Sequence, residues 1–193
     1  MMAMRVIAGL YKGRRLFSPR DDSVRPTTDR VKEAIFSIAQ PMIEDAVCLD
    51  LFAGSGALGI EALSRGASHV YFCDNSKESL SLVTQNLEHV GASPKSATLI
   101  GMGWKAAIAR IAGKAEDVEL VFIDAPYSLC EYYLEILALL EQSGILADEA
   151  WVFVERDVKN DGYLQDLPET AAVRSKKYGN TAVDMIYYEK GLK

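Results

Sequence analysis

Between Val47 and Glu155, apolar runs of strand length alternate with segments whose apolar residues recur at helical spacing. No other feature constrains the fold as much. The strand-like runs are Val47 to Leu51, His69 to Cys73, Ala97 to Ile100, Val118 to Ile123 and Trp151 to Glu155. The first helix runs from about Leu58 to Ser64 and ends near Gly66. The next carries Leu80, Val83, Leu87 and Val90, with Gly91 placed as its left-handed C′ residue. Two more follow, one with Trp104, Ala107, Ile108 and Ile111, the other with Leu134, Leu137 and Leu140. Strands that alternate with helices require right-handed crossovers and a parallel sheet covered on both faces. Beyond residue 170 the pattern changes, because Ala172 to Tyr178 and Val183 to Glu189 are joined by Gly179-Asn180-Thr181, which is hairpin chemistry. The expected class is therefore α/β: a mostly parallel twisted sheet with a C-terminal antiparallel hairpin and helices on both faces.

The segment ahead of this alternation is different. Arg5 to Ala8, a Gly9 to Gly13 turn and Arg14 to Ser18 predict a hairpin, and Arg25-Pro26-Thr27-Thr28 leads into a helix. In that helix Val31, Ala34, Ile35 and Ile38 form the expected apolar face, Arg30 and Lys32 lie off it, and Pro41 stops it. The first 36 residues carry eight Lys or Arg against four acids, a net of +4, which leaves −10 for the rest of a chain whose total is −6. A basic front on an acidic body points to a polyanionic partner at the front, since phosphate contacts supply most sequence-independent affinity for nucleic acid. A solvated charged arm is the alternative. The expected organisation is a basic N-terminal hairpin and helix over residues 1–40 and a ligand-binding domain over 41–193.

Composition excludes several classes. A chain of 193 residues with 49% apolar content can bury a core that needs no staple. Cys48, Cys73 and Cys130 have no CxxC spacing and there are two histidines, so neither a disulfide framework nor a zinc cluster is encoded, and no metal is expected. No apolar run approaches the roughly 20 residues of a membrane span. The opening MMAMRVIAGLYKGRR lacks the apolar core and cleavage site of a secretory leader, so a cytoplasmic location is expected.

Two constellations carry chemistry. Asp50-Leu51-Phe52-Ala53-Gly54-Ser55-Gly56-Ala57-Leu58-Gly59 straddles the end of the first strand and the start of a helix. There, glycines permit close backbone approach to a ligand and the helix start offers free N–H groups. Gly54-x-Gly56-x-x-Gly59 is also the dinucleotide fingerprint, and Asp74 ends the second strand where a carboxylate can accept ribose hydroxyls. This constellation alone leaves the nucleotide open.

The second, Asp124-Ala125-Pro126-Tyr127, follows the fourth strand and so shares the carboxyl edge with the glycine loop and Asp74. A carboxylate, a proline-held carbonyl and an aromatic suit a planar exocyclic amine. The first two accept its hydrogens and the third stacks on the base. A nicotinamide-dependent oxidoreductase accounts for the glycines and leaves these residues unexplained.

With these residues in view, the chain resembles the class I S-adenosylmethionine-dependent methyltransferases, and within them the bacterial 16S ribosomal RNA guanine-N2 methyltransferases of the RsmD type. The resemblance spans nearly the whole chain. It rests on Arg5-Val6-Ile7-Ala8-Gly9, Lys12-Gly13-Arg14-Arg15-Leu16, the distinctive Arg25-Pro26-Thr27-Thr28-Asp29-Arg30-Val31-Lys32-Glu33-Ala34-Ile35-Phe36, Glu61-Ala62-Leu63-Ser64-Arg65-Gly66-Ala67 and Tyr178-Gly179-Asn180-Thr181, together with both constellations.

The resemblance implies a Rossmann-like methyltransferase fold and S-adenosylmethionine as cofactor. It places the cofactor against Asp50, Phe52, Ala53, Gly54, Ser55, Gly56, Asp74, Asn75 and Met102. Catalysis falls to Asp124, Ala125, Pro126 and Tyr127, with Asp124 holding the target amine and Tyr127 stacking on the base. Ribosomal RNA would be gripped by Arg14, Arg15, Arg25, Thr27, Arg30 and Lys32. Two positions depart from the family pattern: Ala125 replaces the first proline of Asp-Pro-Pro-Tyr, and Met102 stands where an acid usually meets the adenine amino group. Glu61 matches the family, although a helical glutamate ordinarily reads as a surface charge. Methylation of adenine N6 or of a glutamine amide shares the same edge chemistry, and a cofactor-binding RNA module without activity is a further alternative. A monomer is expected.

Overall fold

The computed structural model describes residues 4–18, 29–114, 117–167 and 172–190, the side chains of Tyr127 and Ser128 excepted. The helices are α1 (Asp29–Ala39), α2 (Ala57–Ser64), α3 (Lys77–Val90), α4 (Trp104–Ala112) and α5 (Tyr133–Ser143). The strands are β1 (Val47–Asp50), β2 (His69–Asp74), β3 (Ala97–Gly101), β4 (Val118–Ile123), β5 (Leu146–Asp157), β6 (Ala172–Tyr178) and β7 (Thr181–Glu189). They form one sheet in the order β3-β2-β1-β4-β5-β7-β6. The first five are mutually parallel, while β7 runs antiparallel to both β5 and β6. This is the alternation read from the sequence, with β5 beginning at Leu146 rather than Trp151 and β7 at Thr181 rather than Val183.

Period-two alternation sorts the strand residues onto two buried faces. Cys48, Val70, Phe72, Leu120, Phe122 and Phe153 pack with α1, α2 and α3. Leu49, Tyr71, Cys73, Val121, Ile123 and Val152 pack with α4 and α5. The N-terminal segment joins the first face, where Met4, Val6 and Leu16 are buried. It folds back on itself through an Arg5–Arg15 bridge, with Val6 N–H donating to Arg14 O and Gly13 N–H to Val6 O, both at 2.9 Å.

Helix α1 differs from its expected pattern. It buries Val31, Lys32, Ile35, Phe36 and Ala39, while Ala34 and Ile38 are only half-buried. Phe36 turns the stripe, because its ring fills space against Phe122 at a centroid distance of 5.3 Å. The turned stripe carries Lys32 inward with it. Lys32 is 1% exposed, so the phosphate-gripping role expected of it is corrected: its ammonium is sealed beneath the N-terminal segment. No helix among the described residues is long and apolar enough to cross a membrane.

Candidate active site

The sheet order reverses between β1 and β4, and in parallel α/β sheets the crevice at the carboxyl ends beside such a reversal is where ligands bind. Four strand ends meet there. Cross-strand register sets Asp50 beside Phe122, and Asp74 beside Gly101. Asp124 and Ala125 therefore leave β4 next to the glycine loop, while Met102 leaves β3 next to Asp74.

The loop is held open by its own backbone and by two carboxylates. Gly54 and Gly56 have φ of +52° and +78°, in the left-handed region that costs other residues energy. An added Cβ at Gly54 would meet no heavy atom within 4 Å, so this stretch of backbone faces free space. Asp74 accepts Gly54 N–H at 3.0 Å and Ser76 N–H at 2.8 Å, one bond to each carboxylate oxygen. Asp50 is 1% exposed and accepts Gly59 N–H at 2.9 Å. Burial pushes the Asp50 carboxyl up to about 7. The Gly59 hydrogen bond pulls it down, and the charges of Asp124 and Asp74 push it further up.

The remaining predicted residues fall as follows. Phe52 and Met102 are half-buried against the α4 face, Ala53 and Ser55 are buried, and Asn75 is exposed at the end of β2. Ala125 is 5% exposed and Pro126 is exposed. Tyr127 opens a short 3-10 segment, Tyr127–Tyr132, and its side chain lies outside the described atoms. All of these lie on the same carboxyl edge.

The basic set is dispersed by comparison. Arg14 and Arg15 are exposed, with Arg14 Nη1 donating to His89 O at 2.9 Å. Arg30 is exposed, its guanidinium 5.8 Å from the Tyr178 ring centroid. Arg25 and Thr27 lie outside the described residues.

Two buried polar residues tie the N-terminal segment to this edge: Glu61, which matched the family but read as a surface charge, and Asn86, which sequence reasoning missed. Glu61, 0% exposed, accepts Ile7 N–H at 2.8 Å, Ala8 N–H at 3.0 Å and Arg65 Nε at 2.8 Å, and pairs with Lys32 Nζ at 3.3 Å. Burial pulls the Lys32 ammonium below its usual range, an effect the Glu61 charge partly offsets. Asn86, also 0% exposed, accepts Phe17 N–H at 2.7 Å and donates to Phe17 O at 3.0 Å and Ser55 O at 2.8 Å. Ser55 Oγ in turn donates to Met4 Sδ. A signal was present for both residues. Glu61 is the one charge in a helix whose every residue is buried, and Asn86 falls on the Val83–Leu87–Val90 stripe of α3.

Strand order, the antiparallel β7 and a glycine loop facing an acidic strand end together define a Rossmann-like methyltransferase of class I. The chain belongs to the RsmD-type family, described as conserved hypothetical protein 95, whose model matches residues 4–187. Ribosomal RNA small subunit methyltransferase D of Escherichia coli strain K12 is 37% identical over 186 residues, which is 95% of this chain and 89% of that protein. A solved chain named as a candidate methyltransferase, yhhF of Escherichia coli, is 33% identical. It covers 97% of this chain and 98% of its own, with a TM-score of 0.81. A more distant structure, a candidate methyltransferase complexed with SAH, shares the fold alone. It is 13% identical with a TM-score of 0.67, covering 81% of this chain and 49% of its own.

Proposed function

We propose that this chain transfers a methyl group from S-adenosylmethionine to the exocyclic N2 amine of a guanine in 16S ribosomal RNA. The observation that carries the reading is the position of Asp124. It directly follows β4 on the same edge as the glycine loop, near enough for its charge to be felt by Asp50. The names of the curated relatives supply the substrate class.

The residues at this edge fit the cofactor. Gly54 faces open space, and Asp74 keeps lone pairs for ribose hydroxyls after accepting its two N–H bonds. The carboxylates of Asp74 and Asp124, at the ends of the two strands that flank β1, favour a cationic sulfonium over the pyrophosphate of a nicotinamide dinucleotide. S-adenosylmethionine, when bound, supplies an electrophilic methyl group.

The protein's own work is positioning. The guanine amine is a weak nucleophile because its lone pair is delocalised into the ring. Asp124 and the Ala125 carbonyl would accept its two N–H bonds, turning the lone pair toward the cofactor side of the crevice. Proline holds its predecessor extended, so Pro126 fixes the Ala125 carbonyl even though Ala125 replaces a proline. When nitrogen gains the methyl carbon it must lose a proton, and Asp124 is the carboxylate at hand to take it. Orientation and electrostatic stabilisation of this kind account for most of the rate such a site can supply. Arg15 and Arg30, exposed on the N-terminal side, would hold phosphates.

The test is methyl-labelled S-adenosylmethionine incubated with small ribosomal subunits from cells lacking the activity, followed by identification of the labelled nucleoside. Label in N2-methylguanosine, lost in Asp124→Ala with cofactor affinity retained, is the expected result. Label in N6-methyladenosine, or unchanged turnover in the variant, would overturn the reading.

A further inference from the structure

Of the N-terminal cations expected to grip RNA, Lys32 is buried and Arg14 donates to a backbone carbonyl. The far edge of the sheet offers another basic surface. Strand β6 reads Ala-Val-Arg-Ser-Lys-Lys-Tyr, with three cations and no acid, and its residues from Ala172 to Lys177 are exposed. Antiparallel register fixes which of them share a face. Arg174 lies opposite Met185, Lys176 opposite Val183 and Tyr178 opposite Thr181. Met185 and Val183 belong to the core beneath α1, and Tyr178 packs against it. Directly opposed residues project to the same side of a sheet, so Arg174, Lys176 and Tyr178 lie on the α1 side. Arg30 of α1 stands over the Tyr178 ring there. Lys177 opposes Ala182 and projects to the other side. Among the described residues neither Arg174 nor Lys176 makes an ion pair.

We propose that Arg174 and Lys176 on β6, continued by Arg30 on α1, form a second phosphate-binding strip that holds the RNA backbone flanking the target nucleotide. The inference rests on RNA being the substrate. Direction and distance both support it. Strand β6 runs parallel to β5, so its Tyr178 end lies at the carboxyl edge of the parallel strands, where Asp124 sits. The row Ile123–Val154–Asp184–Ser175 crosses three strand spacings of about 4.8 Å, roughly 14 Å in all. That is too far for contact with the base being modified and suits backbone on either side of it. On a chain of net charge −6, a strip of one sign at this position favours a polyanion over a neutral partner. Lysines on an edge strand can also serve only to block edge-to-edge pairing, a role indifferent to the face they occupy.

The experiment compares the full-length wild type with Arg174→Gln plus Lys176→Gln, using Lys177→Gln as the opposite-face control. Methyl transfer and binding to small-subunit ribosomal RNA are measured across a salt series, and unfolding curves verify that each variant folds. The double variant is expected to raise KM about tenfold with kcat unchanged. Its slope of log affinity against log salt should be shallower by about 1.4, from two phosphate contacts at about 0.7 each on single strands. Lys177→Gln should leave both close to wild type. Equal KM and slope in the double variant, or an equal loss from Lys177→Gln, overturns the strip while the proposed function stands. A wild type that methylates and binds no RNA overturns both.

Discussion

Replacing Glu61 by leucine tests whether the buried ion cluster, rather than apolar packing, joins the N-terminal segment to the fold. The substitution preserves most of the volume and removes a carboxylate that accepts Ile7 and Ala8 N–H and faces Lys32 and Arg65. Stranding a buried charge costs about 3–5 kcal/mol, and each orphaned N–H about 1–3 kcal/mol. Lys32 keeps one acceptor, the Arg5 carbonyl at 2.5 Å, and Arg65 is partly solvated, so the terms do not sum in full and a loss of about 5 kcal/mol is expected. With a urea m-value near 2.5 kcal/mol/M, the midpoint should fall by about 2 M. Lys32→Met should cost less, roughly 1–3 kcal/mol, because Glu61 retains its other donors. The double variant should then be more stable than Glu61→Leu alone, since the second change removes the stranded ammonium. Urea unfolding of all four proteins, with hydrogen exchange at the Ile7 and Ala8 amides, reads this directly. A Glu61→Leu cost under about 1 kcal/mol, or a further loss on adding Lys32→Met, would refute the reasoning.

Three further outcomes follow from the site. In Gly59→Ala the new Cβ would stand 2.3 Å from Cε1 of the buried Phe72 ring; overpacking of this kind costs about 1–3 kcal/mol, and an unchanged urea midpoint would contradict it. Asp50 has its folded pKa raised to about 7 from an ordinary 3.8, so the native state holds a proton that the unfolded chain has released between those values. The Asp50 contribution to wild-type stability should therefore fall as pH rises from about 4 to about 7, by up to roughly 4 kcal/mol at 1.36 kcal/mol per unit. Asp50→Asn lacks this dependence, so its stability relative to wild type should climb through that window, and parallel profiles would count against the burial argument. Asn86→Asp turns a donor into an acceptor facing Phe17 O and Ser55 O. A loss of about 2–4 kcal/mol at pH 7 that shrinks near pH 4, together with weaker cofactor binding, is expected in thermal unfolding and calorimetry.

The fold was largely legible because both of its periodicities were strong. Strands packed on both faces must read as short apolar runs, and the helices between them carry stripes at i, i+3 and i+4, so the covered parallel sheet and its carboxyl edge followed from local pattern alone, while the strand order that places the switch point between β1 and β4 did not. The residues at that edge were legible for a related reason. Glycines and acids at strand ends serve ligands through backbone geometry, and strand ends converge wherever a parallel sheet is built.

Polar residues whose partners are distant in the chain were another matter. Lys32 reads as a solvated cation beside an apolar stripe, yet the packing of Phe36 against Phe122 rotates α1 by enough to bury it against Glu61, 29 positions further on. Asn86 reads as an ordinary helical polar residue until Phe17, 69 positions earlier, lies across it. The basic strip on β6 needs the antiparallel register to set Arg174 and Lys176 apart from Lys177. Local sequence determined the elements and the edge at which chemistry can occur. Only the tertiary structure decided which charges are buried, what they hold and which face the others present, because the energy of a charge depends on the solvent and partners left to it after packing.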